Sequence, residues 1–352
     1  MTGNPVSGRL KVVVFSRDPP ILIGAVEGTM SVGPASVISP LLKGRAFWLL
    51  LKLHWSIENS KMSARIIADY RRHAQEYPEH RIVYLCNTAR ELFVLQQCNV
   101  PSILCNQNIF VCEKTFDIQT DQAKEFDAIY NARPAPYKRH ALCCEVPRVG
   151  LIYYAPNPED HAYLAKLKRE LPNAVFVNEI EASRATSHLA NPRVRAFVIE
   201  TFTKNHYVSL PPDLVARYCN RAQAGLCLSA TEGAMYASIE YLLCGLPVVS
   251  TINRGGRDFF FDAEFCTTVP PNPTAVARAV EALIRRKISP EYVREKTLRR
   301  MLHDRNKFLE FVQAIYEHEG TSRDVREDWE RTFVTMMSGF VALDSLLATI
   351  KA

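Results

Sequence analysis

The sequence offers nothing that reads as a membrane span. Its longest apolar run, "AFWLLLKLHW" at 46–55, is broken by Lys52 and falls far short of the roughly 20 residues needed to cross a bilayer. The first residues, "MTGNPVSGRLKVVVFSRD", hold only a four-residue apolar run, too short for a signal-peptide core, so a cytoplasmic protein is expected. Cysteines are scattered at ten positions without a CxxC pair, in apolar settings such as "LLCG" and "GLCLS". Buried free thiols in a reducing compartment are the expectation. There is no zinc-finger spacing, RNA-binding signature or long Lys/Arg run, which argues against a nucleic-acid partner. Internal repeats and low-complexity segments are also missing.

What is present is an ordinary globular composition, 47% hydrophobic and 23% charged, with a formal charge of +6. A mildly basic chain suits an anionic ligand or membrane surface. At 352 residues it is long enough for two domains.

Strand and helix patterns alternate twice. "LKVVVFS" (10–16) reads as a first strand, 17–44 as Gly- and Pro-rich loop with at most a short helix, and 45–76 as helix. "RIVYLCN" (81–87), "ARELFVLQQC" (89–98) and "SILCN" (102–106) form a strand–helix–strand unit. A second series starts at "FDAIYNA" (126–132) and continues through "PVVST" (247–251) and "PTAVARAVEALIRR" (273–286). Such alternation predicts an α/β fold of two Rossmann-like doubly wound domains, 1–125 and 126–325, facing a cleft. A last amphipathic helix, about 324–350 within a segment 326–352, is expected to pack back on the first domain.

The chemistry concentrates in "EGAMYASIEYLLCGLPVVST" (232–251). It reads as a tight turn at Glu232-Gly233, a helix, a Gly245 cap and a strand, with Gly255-Gly256 beyond. Ligands of open parallel sheets sit at strand carboxyl ends and helix N-termini. Eight residues of continuous helix rise about 12 Å. That is too far for Glu232 and Glu240 to share a proton or a metal, but it suits the two hydroxyl-bearing ends of an elongated ligand with an anionic middle. A nucleoside diphosphate sugar has that shape.

This E-x7-E pattern, followed by G-x-P-V-V and a Gly-Gly loop, resembles the retaining glycosyltransferases of the group that includes sucrose and glycogen synthases and bacterial mannosyltransferases. Their fold is called GT-B. The resemblance implies that Glu232 contacts the transferred sugar and Glu240 the ribose, with Gly233, Ala234 and Met235 at the donor. "YNARPAPYKRH" (130–140) resembles the family's GR-x4-K loop, with Ala132 in place of the usual glycine. Arg133 and Lys138 then hold the diphosphate, a fork and a point charge where negative charge grows. Arg139 would be a third cation, and His140 is expected to be structural.

"NHYVSLPPDLVARYCNRAQAGLCLSATEG" (205–233) resembles the base-binding region and implies Tyr207, Val208 and Leu210 near the nucleobase. Gly255, Gly256 and Arg257 would line the sugar and phosphate pocket. In the first domain the likeness fades: Gly24 replaces a Gly-rich loop, and Asn106 and Asn108 are candidates for acceptor or cleft contacts. The stretch 41–55 is expected to form a first-domain helix, either buried or lying on a membrane surface.

Asp-x-Asp, the usual metal-binding pair of the other large glycosyltransferase fold, is missing, so no metal and no cofactor are expected. The implied activity is transfer of a hexose from a nucleotide-sugar donor to a glycan or lipid-linked acceptor. The setting would be cell-surface polysaccharide or glycoconjugate synthesis, with possible peripheral association at the inner face of a membrane. Two alternatives are a nucleotide-sugar epimerase and a non-catalytic glycan-assembly subunit that keeps the donor cleft.

Overall fold

The computed structural model describes residues 9–26, 28, 30–187, 191–194, 196, 209–333 and 339–351. A short strand β1 (Arg9–Lys11) leads into a five-stranded sheet of β2 (Val13–Arg17), β3 (Pro20–Val26), β4 (Phe47–Leu53), β5 (His80–Cys86) and β6 (Ser102–Leu104), side by side in chain order. The β2–β3 pair is antiparallel, and β3 through β6 are parallel. Parallel neighbours need crossovers. These are the short α1 (Ala35–Ile38), then α2 (Ser60–Glu76) and α3 (Ala89–Gln96). Asn59 caps α2 and Thr88 caps α3, each accepting a first-turn amide.

Both faces of this sheet are covered. Ile21, Ile23, Leu50, Val83 and Leu85 enter one apolar cluster, while Leu22, Leu49, Leu51, Ile82 and Tyr84 enter another. A strand buried on both sides reads as an unbroken apolar run, which helix and strand can share. That explains two corrections. "FWLLLKL" is the strand β4 at the middle of the sheet, so no helix forms over 47–53 and no membrane-surface helix spans 41–55. Likewise β3 occupies the stretch expected to be loop.

Residues 105–127 cross to a six-stranded sheet of β7 (Ala128–Asn131), β8 (Val149–Ile152), β9 (Val175–Phe176), β10 (Gly225–Cys227), β11 (Val248–Thr251) and β12 (Cys266–Val269). Its helices are α4 (Pro158–Glu170), α5 (Val177–Ala185), α6 (Pro212–Asn220), α7 (Tyr236–Leu243) and α8 (Pro273–Arg286). The order is β12-β11-β10-β7-β8-β9, and every pairing is parallel. The chain winds outward from β7, returns to the centre at β10 and winds outward the other way. The reversal opens a crevice at the carboxyl ends of β7 and β10.

The 29-residue helix α9 (Pro290–His318) ties the two halves together. From it, Arg305 donates to the carbonyls of Ile109 and Val111 and pairs with Glu113. Beyond it, α10 (Val325–Thr332) packs on β2, β13 (Phe340–Ala342) pairs antiparallel with β1, and α11 (Leu343–Lys351) buries Leu346 and Ile350 against the first sheet. The chain does return across the first domain. It does so as two helices and a strand, where one helix over 324–350 was expected.

Candidate functional site

A cavity of about 510 Å³ opens at the switch point. One wall comes from the first domain, through His54 and Trp55 just past β4 and Gln107 of the crossing segment. The other comes from the loops after β7, β8 and β10 and from the mouth of α7.

Glu232 lies in the turn between β10 and α7, and α7 begins only at Tyr236. The estimate of eight continuous helical residues therefore fails: Glu240 sits in the second turn of α7 and Glu232 sits before it. Glu232 forms an ion pair with Lys138, both side chains 9% exposed. Lys138 is presented by a short 3-10 turn, Pro136–Lys138, whose position is fixed from two sides. The Tyr130 hydroxyl donates to the Lys138 carbonyl at 2.6 Å, and the Ala230 amide donates to the Tyr137 carbonyl at 2.9 Å.

Arg133 follows β7 and lines the same cavity. Its Nε lies 2.8 and 3.0 Å from the two oxygens of Asp160, which also caps the first turn of α4. Glu240 accepts from Asn131 Nδ2 at 3.2 Å, and burial pushes its carboxyl up to about 7. Asn131 is itself held by α7, its amide donating to the Tyr241 hydroxyl at 2.6 Å. Met235, at φ 54°, precedes α7 as its N-cap residue, and no side chain caps the helix there. Ala234 through Ala237 face the cavity, so the positive end of α7 points into it. The arrangement joins two cations, a helix N-terminus and two carboxylates around one opening large enough for a nucleotide sugar.

Other expected site residues serve the frame. Arg139 donates to the Ser229 carbonyl at 2.7 Å and the Thr251 hydroxyl at 2.8 Å, fastening the ends of β10 and β11 outside the cavity. Arg257 is fully buried and spans the same two strand ends through Ser229 and Ser250. Gly255, at φ +106°, allows a backbone approach that no side chain would: a Cβ there would lie 1.8 Å from the Glu232 carbonyl oxygen. Gly256 packs against Asn87 and Asn106, so neither glycine lines the cavity. Gly233 also faces away from it, packed against the carbonyls of Leu53 and His54 of the first domain.

Asn106 and Asn108 are fully buried domain fasteners. Asn106 Nδ2 reaches the Gly256 carbonyl at 2.7 Å, and Asn108 Nδ2 reaches the Ala234 carbonyl at 3.1 Å. Gly24 sits mid-strand in β3 beneath Pro34, away from the cavity. Leu210 does line it, whereas Tyr207 and Val208 lie outside the described residues. His140 is buried against Tyr130, and burial lowers its pKa to about 3, in keeping with a structural role.

Sequence reasoning missed His54, Trp55, Asn131, Tyr137 and Tyr154, all of which line the cavity. Reading 47–53 as a strand would have placed His54 and Trp55 at its carboxyl end.

No family model and no curated protein sequence matches this chain. Solved structures do match it in shape. HepE from Anabaena, solved in complex with UDP, is 11% identical, with a TM-score of 0.54 over 83% of this chain and 78% of that one. The same protein with UDP and glucose gives 0.50, over 76% and 72%. TarM is 14% identical with a TM-score of 0.53, and this chain, 85% covered, spans 55% of its length. The shared feature is the fold: two Rossmann-like domains about a cleft, the GT-B architecture.

Proposed function

We propose that the chain is a glycosyltransferase of GT-B architecture. It moves a hexose from a nucleoside diphosphate sugar to a hydroxyl of a glycan or lipid-linked acceptor, in polysaccharide or glycoconjugate synthesis. The observation that carries the reading is the convergence of Lys138, Arg133, the uncapped start of α7, Glu232 and Glu240 on one cavity at a switch point. HepE, of the same fold, is solved with UDP and with UDP and glucose.

In this reading the diphosphate lies at the mouth of α7, where helix amides and the Lys138 and Arg133 charges stabilise it as the glycosidic bond breaks. Glu240, steadied by Asn131, accepts a ribose hydroxyl at the deep end. Glu232 releases Lys138 to the phosphates and accepts a hydroxyl of the sugar. The acceptor oxygen attacks the anomeric carbon from the face the diphosphate leaves. The bonding pair goes to the leaving phosphate oxygen, which takes the acceptor proton, and configuration is retained. Leaving-group stabilisation is assigned to these cations and amides, without a metal.

The test is incubation with isotopically labelled UDP-, GDP- and TDP-sugars, with and without a panel of oligosaccharide and lipid-phosphate acceptors. Label passing to an acceptor with release of nucleotide supports the reading. Isomerised donor sugar without acceptor supports an epimerase and contradicts it.

A further inference from the structure

A second opening, about 270 Å³, is lined by Glu58 and Arg90 of the first domain and Asn253 and Arg254 of the second. Two chain segments run from it to the large cavity. In the first domain, His54 and Trp55 line the cavity, Ser56 packs beside Gly255, and Glu58 lines the groove. In the second, Thr231 bridges to Arg254, and the Glu232 amide donates to the Arg254 carbonyl at 2.9 Å while Glu232 itself lines the cavity. The groove therefore begins within a few residues of the carboxylate assigned to the sugar.

Its chemistry differs from that of the donor cavity. Arg90 and Arg254 are exposed, and among the described residues neither is ion-paired. Glu58, the carboxylate in the groove lining, accepts from the Thr88 hydroxyl at 2.9 Å. Two guanidinium forks against one carboxylate leave a net positive groove. On the cavity side, three residues before Glu58, Trp55, 39% exposed, meets Tyr137 edge to face at 5.1 Å, and the Tyr137 ring lies 5.3 Å from Lys138 Nζ. An aromatic ring takes the C–H face of a pyranose, and an arginine fork takes a carboxylate or phosphate.

We propose that this groove is the acceptor subsite and that the acceptor is an anionic saccharide, with a pyranose against Trp55 and its acidic group held by Arg90 and Arg254. The proposal rests on the glycosyltransferase reading for the word acceptor, and its test is separable from that reading. Calorimetry at about 150 mM salt, near physiological ionic strength, would compare trigalacturonic acid, glucose 6-phosphate and maltotriose, with UDP-induced thermal stabilisation measured in parallel.

The expected result is that at least one anionic probe binds about tenfold or more tightly than neutral maltotriose. Which one does so distinguishes carboxylate from phosphate recognition. The preference should vanish in the R90E/R254E variant, or in the milder R90Q/R254Q should the first fail to fold, and W55A should weaken the same probe. UDP stabilisation should be unchanged in both arginine variants. Equal binding of neutral and anionic probes overturns the proposal, as does a preference that survives the arginine substitutions. Equal loss of UDP binding in those variants would also overturn it, because the arginines would then belong to the donor cavity. Arginine-dependent anionic binding without any response to UDP would sustain the groove and sink the transferase reading.

Discussion

Replacing Glu240 with glutamine should make stability less sensitive to pH. The Glu240 carboxyl is buried, and its pKa rises from 4.5 to about 7 in the folded chain. The folded state therefore holds its proton at pH values where the unfolded chain has released it. Below about pH 4.5 both states are protonated and the group has no effect. Between the two values stability falls as pH rises, and above about 7 the full cost of a buried carboxylate is present. A shift of this size corresponds to about 3 kcal/mol, of which about 2 kcal/mol develops between roughly pH 5 and pH 8.

The substituted glutamine keeps an acceptor for Asn131 and has no charge to bury, so the variant gains on wild type by that amount across the interval. Glu91, also buried and also raised to about 7, is unchanged in both proteins and cancels in the comparison. Urea unfolding followed by circular dichroism at both pH values gives the difference directly. Parallel pH profiles for wild type and E240Q would refute the placement of Glu240 as a buried, weakly compensated acid. Nucleotide binding adds a second sign: ribose hydroxyls donate to the ionised form, so wild-type affinity should strengthen from about pH 6 to pH 8 and E240Q should stay flat.

Glu232→Gln breaks the pair with Lys138 and removes a negative charge beside the proposed diphosphate. UDP affinity measured by calorimetry should rise about threefold to tenfold, from roughly 1 kcal/mol of relieved repulsion. Sugar transfer should fall about a hundredfold or more, because the same carboxylate orients the sugar. Gly255→Ala must place its Cβ against the Glu232 carbonyl at a left-handed φ, and a loss of about 3 kcal/mol or more is expected from denaturant unfolding. Gly44→Ala is the control: its φ of +79° is also left-handed, but nothing lies within 4 Å, and a loss of about 1 kcal/mol is expected.

Much of the second domain was legible in the sequence because its strands and helices alternate in short, well-punctuated segments. Asn157 and Pro158 open α4, Gly245 and Pro247 separate α7 from β11, and Asn272 caps α8. The first domain was harder because β3 and β4 are buried on both faces, which erases the alternation that marks a strand. The site divided along a similar line. Arg133, Lys138, Glu232 and Glu240, singled out through the family resemblance, do line one cavity. Asn106 and Asn108 instead hold one domain against the other, Arg139 ties β10 to β11 within the second domain, and Gly255 admits the Glu232 carbonyl. Only tertiary contacts separate those two uses. Trp55 gave no signal of its own, since an aromatic after an apolar run looks like more core.

The convergence of the Lys138 turn, the Glu232 turn and α7 on a single phosphate-bridged ligand is tested most directly by thermal unfolding with UDP, GDP, TDP, ADP and CMP. At least one nucleoside diphosphate should raise the midpoint by several degrees when present at about 100 times its Kd, a gain of about 2.7 kcal/mol. CMP should do less, and both Lys138→Ala and Glu240→Ala should lose most of the effect. No stabilisation of the wild-type chain by any of the five, or undiminished stabilisation of both variants, would contradict the assignment.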